Sequence, residues 1–146
     1  MEPRLDFYKA SPDAVKAMLG LQASISKLGL DAGLLELVKL RASQINGCAY
    51  CVDMHSLEAR KRGETERRLY AVAAWQESPF FTTRERAALA WTESLTRVAD
   101  THAPDADYAA LCAEFNERER VDLTLAIGAI NVWNRLAIGF RSVPAA

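Results

Sequence analysis

The chain has 146 residues, 50% of them hydrophobic and 25% charged; that is enough apolar material for one buried core, and residues 1–146 are expected to form a single domain. The formal net charge of −1, with no one-sided basic cluster, gives no electrostatic reason to expect nucleic acid or a membrane as partner: Arg60, Lys61, Arg62, Arg67 and Arg68 alternate with Glu58, Glu64 and Glu66 as a solvated helix surface. The opening MEPRLDFYKASPD has no hydrophobic run, so neither an export nor a transit signal is expected, and the expected location is the cytoplasm.

Ser11 before Pro12 reads as an N-cap followed by a first-position proline. The helix it opens should carry Val15, Met18, Leu19, Leu21, Ile25 and Leu28 along one side until Gly29. A second helix is expected from about Asp31 to Asn46, with Leu34, Leu35, Leu37, Val38, Leu40 and Ile45 as its apolar residues. Asn46 and Gly47 are a stop signal, so Cys48 is expected in the first turn of a third helix that lasts to Gly63. The second and third helices then form an αα-hairpin. The segment ETERRLYAVAAWQES reads as a fourth helix, closed by Ser78 and Pro79. Thr82 and Glu85 form a capping box for a helix to about Ala99; the loop DTHAP leads to a short helix over Asp105–Phe115, and Asn116 caps a long one from Glu117 to Arg141.

No stretch shows strand alternation, and there is no Gly-rich phosphate loop and no repeat of fixed period. The expected fold is all-α, a bundle of about six to seven helices. Leu123–Phe140 is interrupted by Asn131, Asn134 and Arg135 and so lacks the roughly 20 predominantly apolar residues of a transmembrane span. A helix apolar nearly all round must be buried in the domain or in a subunit interface, and a homo-oligomer is expected.

The chemistry is concentrated in ELVKLRASQINGCAYCVDMHSLEARKRG, residues 36–63. Cys48, Cys51 and His55 are three and four residues apart, which at about 100° per residue keeps them within an arc of roughly 60° on one helix face. Three features lower the pKa of a thiol: a helix start, a neighbouring imidazole and the second thiol of a C-x-x-C pair. Cys48 has the first and Cys51 has His55 one turn on, so either can be the attacking sulfur. Glu36 precedes Cys48 by twelve residues; antiparallel packing across the Asn46-Gly47 turn brings it back towards His55, as the third group that orients a base. With three cysteines in all, a C-x-x-C pair in a reducing compartment points to redox or metal chemistry rather than to a structural staple.

The pattern of Glu36, eleven residues, Cys48-Ala49-Tyr50-Cys51, three residues and His55 resembles the active-site signature of the alkylhydroperoxidase D family, within the carboxymuconolactone decarboxylase superfamily. INVWNRLAIGF, residues 130–140, resembles that family's terminal helix. The resemblance implies an all-helical homo-oligomer, a trimer or hexamer, with thiol peroxidase activity. It also implies a Cys48 to Cys51 disulfide that opens and closes in the cycle, no bound cofactor, a small hydroperoxide as substrate, and an external dithiol as reductant, a lipoyl-bearing protein in the prototype. By resemblance Cys51 is the peroxidatic cysteine, Cys48 the resolving one, His55 the base, and Glu36 the group that completes a proton relay. The prototypes carry a histidine immediately before the second cysteine, where this chain has Tyr50; a phenol of pKa about 10 is a poor proton shuttle near neutral pH.

Other readings attach to the same residues. Cysteine and histidine are zinc ligands, but a structural zinc takes four, and the spare candidates are His102 and Cys112. Superfamily relatives with decarboxylase or lactone chemistry need no cysteine pair. A thiol-disulfide oxidoreductase or a redox sensor needs the same two thiols, and buried cysteines can also be plain core residues. Cys112, beside Leu111 and Phe115, reads as core, and His102 as exposed. Trp133 reads as core or as pocket wall, and Arg135 as the partner of an acidic residue across a subunit boundary or an anchor for the site helix.

Overall fold

The computed structural model describes residues 1–145; Ala146, the last residue of the expected domain, lies outside the described residues. Among the described residues there are nine α-helices and no strand. They are α1 (Phe7–Ala10), α2 (Pro12–Ile25), α3 (Ala32–Asn46), α4 (Ala49–Lys61), α5 (Glu66–Ala71), α6 (Thr83–Thr96), α7 (Val98–Thr101), α8 (Asp105–Glu114) and α9 (Glu117–Phe140). The expected all-α architecture is present. The two elements beyond the expected number are single turns, α1 and α7, too short to leave a periodic signal.

Helix α3 is the central element and packs against α4, α6 and α9. Its leucines are divided between two cores. Leu34, Leu35 and Val38 join Ile25, Trp91, Phe115, Leu123 and Ile127, whereas Leu37 and Leu40 join Ala59, Leu69, Val72, Trp75 and Leu89. Leu37 and Leu40 are each 1% exposed, so truncating either to alanine should cost about 2–5 kcal/mol through the cavity it leaves. The Asp31 carboxylate caps the start of α3 by accepting from Leu34 N–H at 2.8 Å, and Gly47, at φ 71°, ends it in the left-handed conformation.

Several expected boundaries move. α2 opens at Pro12, but the Ser11 side chain makes no capping bond; its backbone N–H instead goes to Phe7 O and closes α1. The fourth helix is capped by Thr65, runs as α5 only to Ala71 and tightens into a 3₁₀ turn over Val72–Ala74. Past that turn the Arg86 guanidinium donates to the carbonyls of Trp75, Gln76 and Ser78 at 2.9, 2.6 and 3.0 Å, so the segment does not resume a helical ladder. α6 keeps its Thr82–Glu85 capping box but stops at Thr96. The Thr101 hydroxyl donates to Ser94 O at 2.7 Å, so the chain folds back as α7.

By length and composition alone α9 is apolar enough to cross a membrane. Its packing covers part of that surface: Leu123, Ala126, Ile127, Ile130 and Ala137 are all buried, and so is Asn134, at 0% exposure. Asn46 Nδ2, at the end of α3, donates to both Asn131 Oδ1 and Asn134 Oδ1 at 2.9 Å, and Asn134 Nδ2 donates to Ser43 Oγ at 3.0 Å. This amide cluster fixes the end of α3 to α9 just before the turn that carries the cysteines.

Candidate active site

The αα-hairpin of α3 and α4 builds the site. Cys48 is the N-cap of α4 rather than a first-turn residue: its φ, ψ of −83°, 94° are extended, and its Sγ accepts from Cys51 N–H at 3.3 Å. Gly47 fixes this, because the left-handed turn spends Cys48 as the half-in residue before the helix proper. Cys48 and Cys51 are joined as a disulfide with Cα atoms 5.3 Å apart. Both are buried, and they pack with Ala137 and Tyr50.

One turn on, His55 is also buried, and its Nδ1 lies 2.9 Å from Glu36 Oε2. The other carboxylate oxygen, Glu36 Oε1, accepts from Lys39 Nζ at 3.0 Å. Burial alone would push the Glu36 carboxyl up. The hydrogen bond to His55 and the charge of Lys39 outweigh it, so the group is held below its ordinary value and stays ionised. The carboxylate therefore fixes the His55 ring through Nδ1 and leaves Nε2 for other partners.

A cavity of about 290 Å³ opens onto this cluster. Cys51, His55, Glu36 and Lys39 line it, whereas Cys48 does not. The remaining wall is largely apolar and includes Phe7, Tyr8, Tyr50, Met54 and Trp133. Burial, then the neighbouring Tyr50 and the Asp6 carboxylate, push the Tyr8 hydroxyl above its ordinary value, so it remains a neutral phenol in this cavity.

All four residues singled out by the sequence thus come together. Trp133 is cavity wall, not core, because it sits one position off the buried stripe of α9. Cys112 is exposed, contrary to the core expectation; it lies on the outer side of α8, where Arg120 Nη1 reaches its Sγ at 3.0 Å. His102 is exposed as expected. Arg135 is exposed and donates to Asn131 O at 3.0 Å on its own helix; it does not anchor the site helix. Among the described residues no group of three or more His, Cys, Asp and Glu is placed to hold a metal ion. Sequence reasoning missed Lys39 and the α1 aromatics. Lys39 was findable, since it follows Glu36 by three residues on one helix face. For α1 the one signal is Asp6, which caps it by accepting from Tyr8 and Lys9 N–H.

An all-helical domain with a buried, disulfide-joined C-x-x-C pair beneath a His–Glu pair defines an AhpD-like architecture. The chain belongs to the carboxymuconolactone decarboxylase family, whose sequence profile matches residues 12–94. It is 39% identical over 138 residues to the uncharacterized protein YdfG of Bacillus subtilis, covering 94% of both chains. Among solved structures it matches an Agrobacterium tumefaciens protein of unknown function, described as a candidate antioxidant defence protein AhpD, with a TM-score of 0.97, 46% identity and 99% coverage of both chains. It shares the fold of the debrominase Bmp8, with a TM-score of 0.82, 22% identity, and 94% of this chain and 74% of that one covered.

Proposed function

We propose that the protein is a thiol peroxidase that reduces hydroperoxides through a Cys48–Cys51 dithiol/disulfide cycle. The observation that carries this reading is that Cys51, and not Cys48, lines the cavity together with a histidine held by an ionised glutamate. In the reduced protein His55 takes the Cys51 thiol proton. The thiolate attacks the distal oxygen of the hydroperoxide, the O–O bond breaks, and the leaving alkoxide takes the proton back from His55 as an alcohol. Cys51 is now a sulfenic acid. The Cys48 thiol condenses with it, expelling water and closing the disulfide. An external dithiol, of the lipoyl-bearing class that the resemblance implies, reopens the bond and is itself oxidised to a disulfide. Tyr50 stands where the prototypes have a second imidazole, so His55 is the base on which proton transfer relies. A dithiol cycle of this kind suits a reducing compartment such as the cytoplasm.

The test is a free-thiol count on reduced protein before and after one equivalent of hydroperoxide, with mass mapping of any new disulfide. Loss of two thiols joined as Cys48 to Cys51 is expected. Cys51→Ser should abolish turnover with a dithiol donor, and Cys48→Ser should allow one sulfenylation without cycling. His55→Ala should lower the rate roughly 10²–10⁴-fold, the usual contribution of a positioned base. Retention of all thiols after peroxide would remove the peroxidase reading and favour decarboxylase or lactone chemistry of the family; oxidation without donor-coupled turnover would favour a redox sensor.

A further inference from the structure

The N-terminal arm carries no motif, yet it supplies part of the cavity wall. Arg4 ties it down, donating its backbone N–H to Phe140 O at 3.0 Å and its guanidinium to Gly139 O at 3.1 Å. Those carbonyls end α9 and have no helical N–H to meet them, so the arm satisfies groups the long helix leaves open. The Phe7 ring then lies 5.9 Å from that of Phe140 and 4.7 Å from that of Tyr8. Phe7 is 9% exposed and Tyr8 51%; the first is the seated anchor and the second reaches the mouth. Both line the cavity that holds Cys51 and His55.

The size and lining of that cavity exceed what hydrogen peroxide needs and leave room for an apolar body. A water-sized molecule fills a void of about 10–15 Å³, far less than the 290 Å³ present. Phe7, Tyr8, Tyr50 and Trp133 offer ring faces and edges, with Met54 as a polarisable filler. Nothing in the cavity calls for a charged substrate, because Lys39 is met by Glu36 at 3.0 Å and Glu58 by Lys61 at 2.6 Å. We infer that this site selects neutral hydroperoxides with an aromatic body over hydrogen peroxide, and that Phe7 and Tyr8 are the specificity-determining residues that hold the ring. The inference rests on the peroxidase reading for its chemistry but not for its binding step.

The test therefore has two parts, made on wild type, Tyr8→Ala and Phe7→Leu, the last keeping the arm seated by an apolar side chain. Binding of cumyl alcohol, the product of cumene hydroperoxide, is measured by calorimetry on the oxidised protein. Donor-coupled kcat/KM is measured with cumene hydroperoxide and with hydrogen peroxide. Wild type should bind the alcohol saturably and favour the aromatic peroxide by about tenfold or more, as a filled apolar pocket allows. In both variants the alcohol should bind about fivefold more weakly and the ratio of the two kcat/KM values should fall by a similar factor. Absence of alcohol binding in wild type, or variants with unchanged affinity and an unchanged ratio, would overturn the inference. Binding that weakens in the variants, with no peroxide turned over by wild type, would uphold the aromatic site and sink the peroxidase reading alone.

Discussion

At the scale of single residues, Glu36 is the group whose environment has the clearest consequence. It is 5% exposed and bridges His55 and Lys39, which belong to different helices. Because its folded pKa lies below its unfolded value, the folded state holds fewer protons than the unfolded one in the acid range. The stability this contributes is fully present above the ordinary carboxylate value of 4.5 and is lost as pH falls through the lower folded value. Urea midpoints measured from pH 7 down to pH 3 should therefore drop more steeply for wild type than for Glu36→Gln; parallel curves would show that the carboxylate is not the titrating group. Lys39→Met should cost about 1–3 kcal/mol by leaving one buried carboxylate oxygen without its donor, and should return the Glu36 carboxyl towards its ordinary value. Glu36, Cys48, Cys51 and His55 were legible in the sequence because one hairpin brings them together at helical spacing. Lys39 was harder to single out because a lysine in a helix is normally a solvated residue, and only its place in the cavity wall beside Glu36 sets it apart.

At the scale of elements, the site depends on how α3 ends and α4 begins. Gly47 at φ 71° has nothing within 4 Å of the position a Cβ would take, so an alanine there meets no clash and its cost is conformational only. Gly47→Ala should lose about 1–2 kcal/mol, read as a fall in Tm of roughly 2–6 °C for a domain of this size. The same change should slow closure of the disulfide, since Cys48 takes its position from that turn. A second anchor is the amide cluster. Asn134→Ala would leave the fully buried Ser43 and the half-buried Asn46 each short of a partner, and it should cost about 1–3 kcal/mol. The sequence marked Asn134 as a polar group that an apolar helix must pair, but its partners are 88 and 91 residues away. No local signal carries information over that distance. Helix boundaries failed for a related reason: Arg86 and Thr101 capture carbonyls from segments that propensity alone would continue as helix.

At the scale of the whole molecule, the two faces of α9 lead to different predictions. Its inner face carries Ala137 and the Asn134 cluster, and it backs the cavity through Trp133. Its outer face exposes Val121, Leu125 and Val132 at 67, 42 and 41%. With the exposed Gly128 and Gly139 these residues recur at alternating intervals of three and four, broken only by Arg135. Such a ridge matches the groove of another helix, and the two glycines permit close approach along it. The sequence registered only a helix apolar nearly all round; packing separates the part that the domain covers from the part it leaves open. The expected occupant is a second copy of this chain, because the resemblance implies a trimer or hexamer and the stripe lies on the helix whose Trp133 and Ala137 back the cavity. Sedimentation velocity on wild type at micromolar concentration should then give a mass three or six times 16.1 kDa. The double variant Val121→Asp, Val132→Asp puts charges where an interface would exclude water, and it should shift the mass towards that of one chain while the helical circular dichroism is kept. A wild-type monomer would remove self-association altogether, and an oligomer that this variant leaves intact would place the interface elsewhere on the molecule.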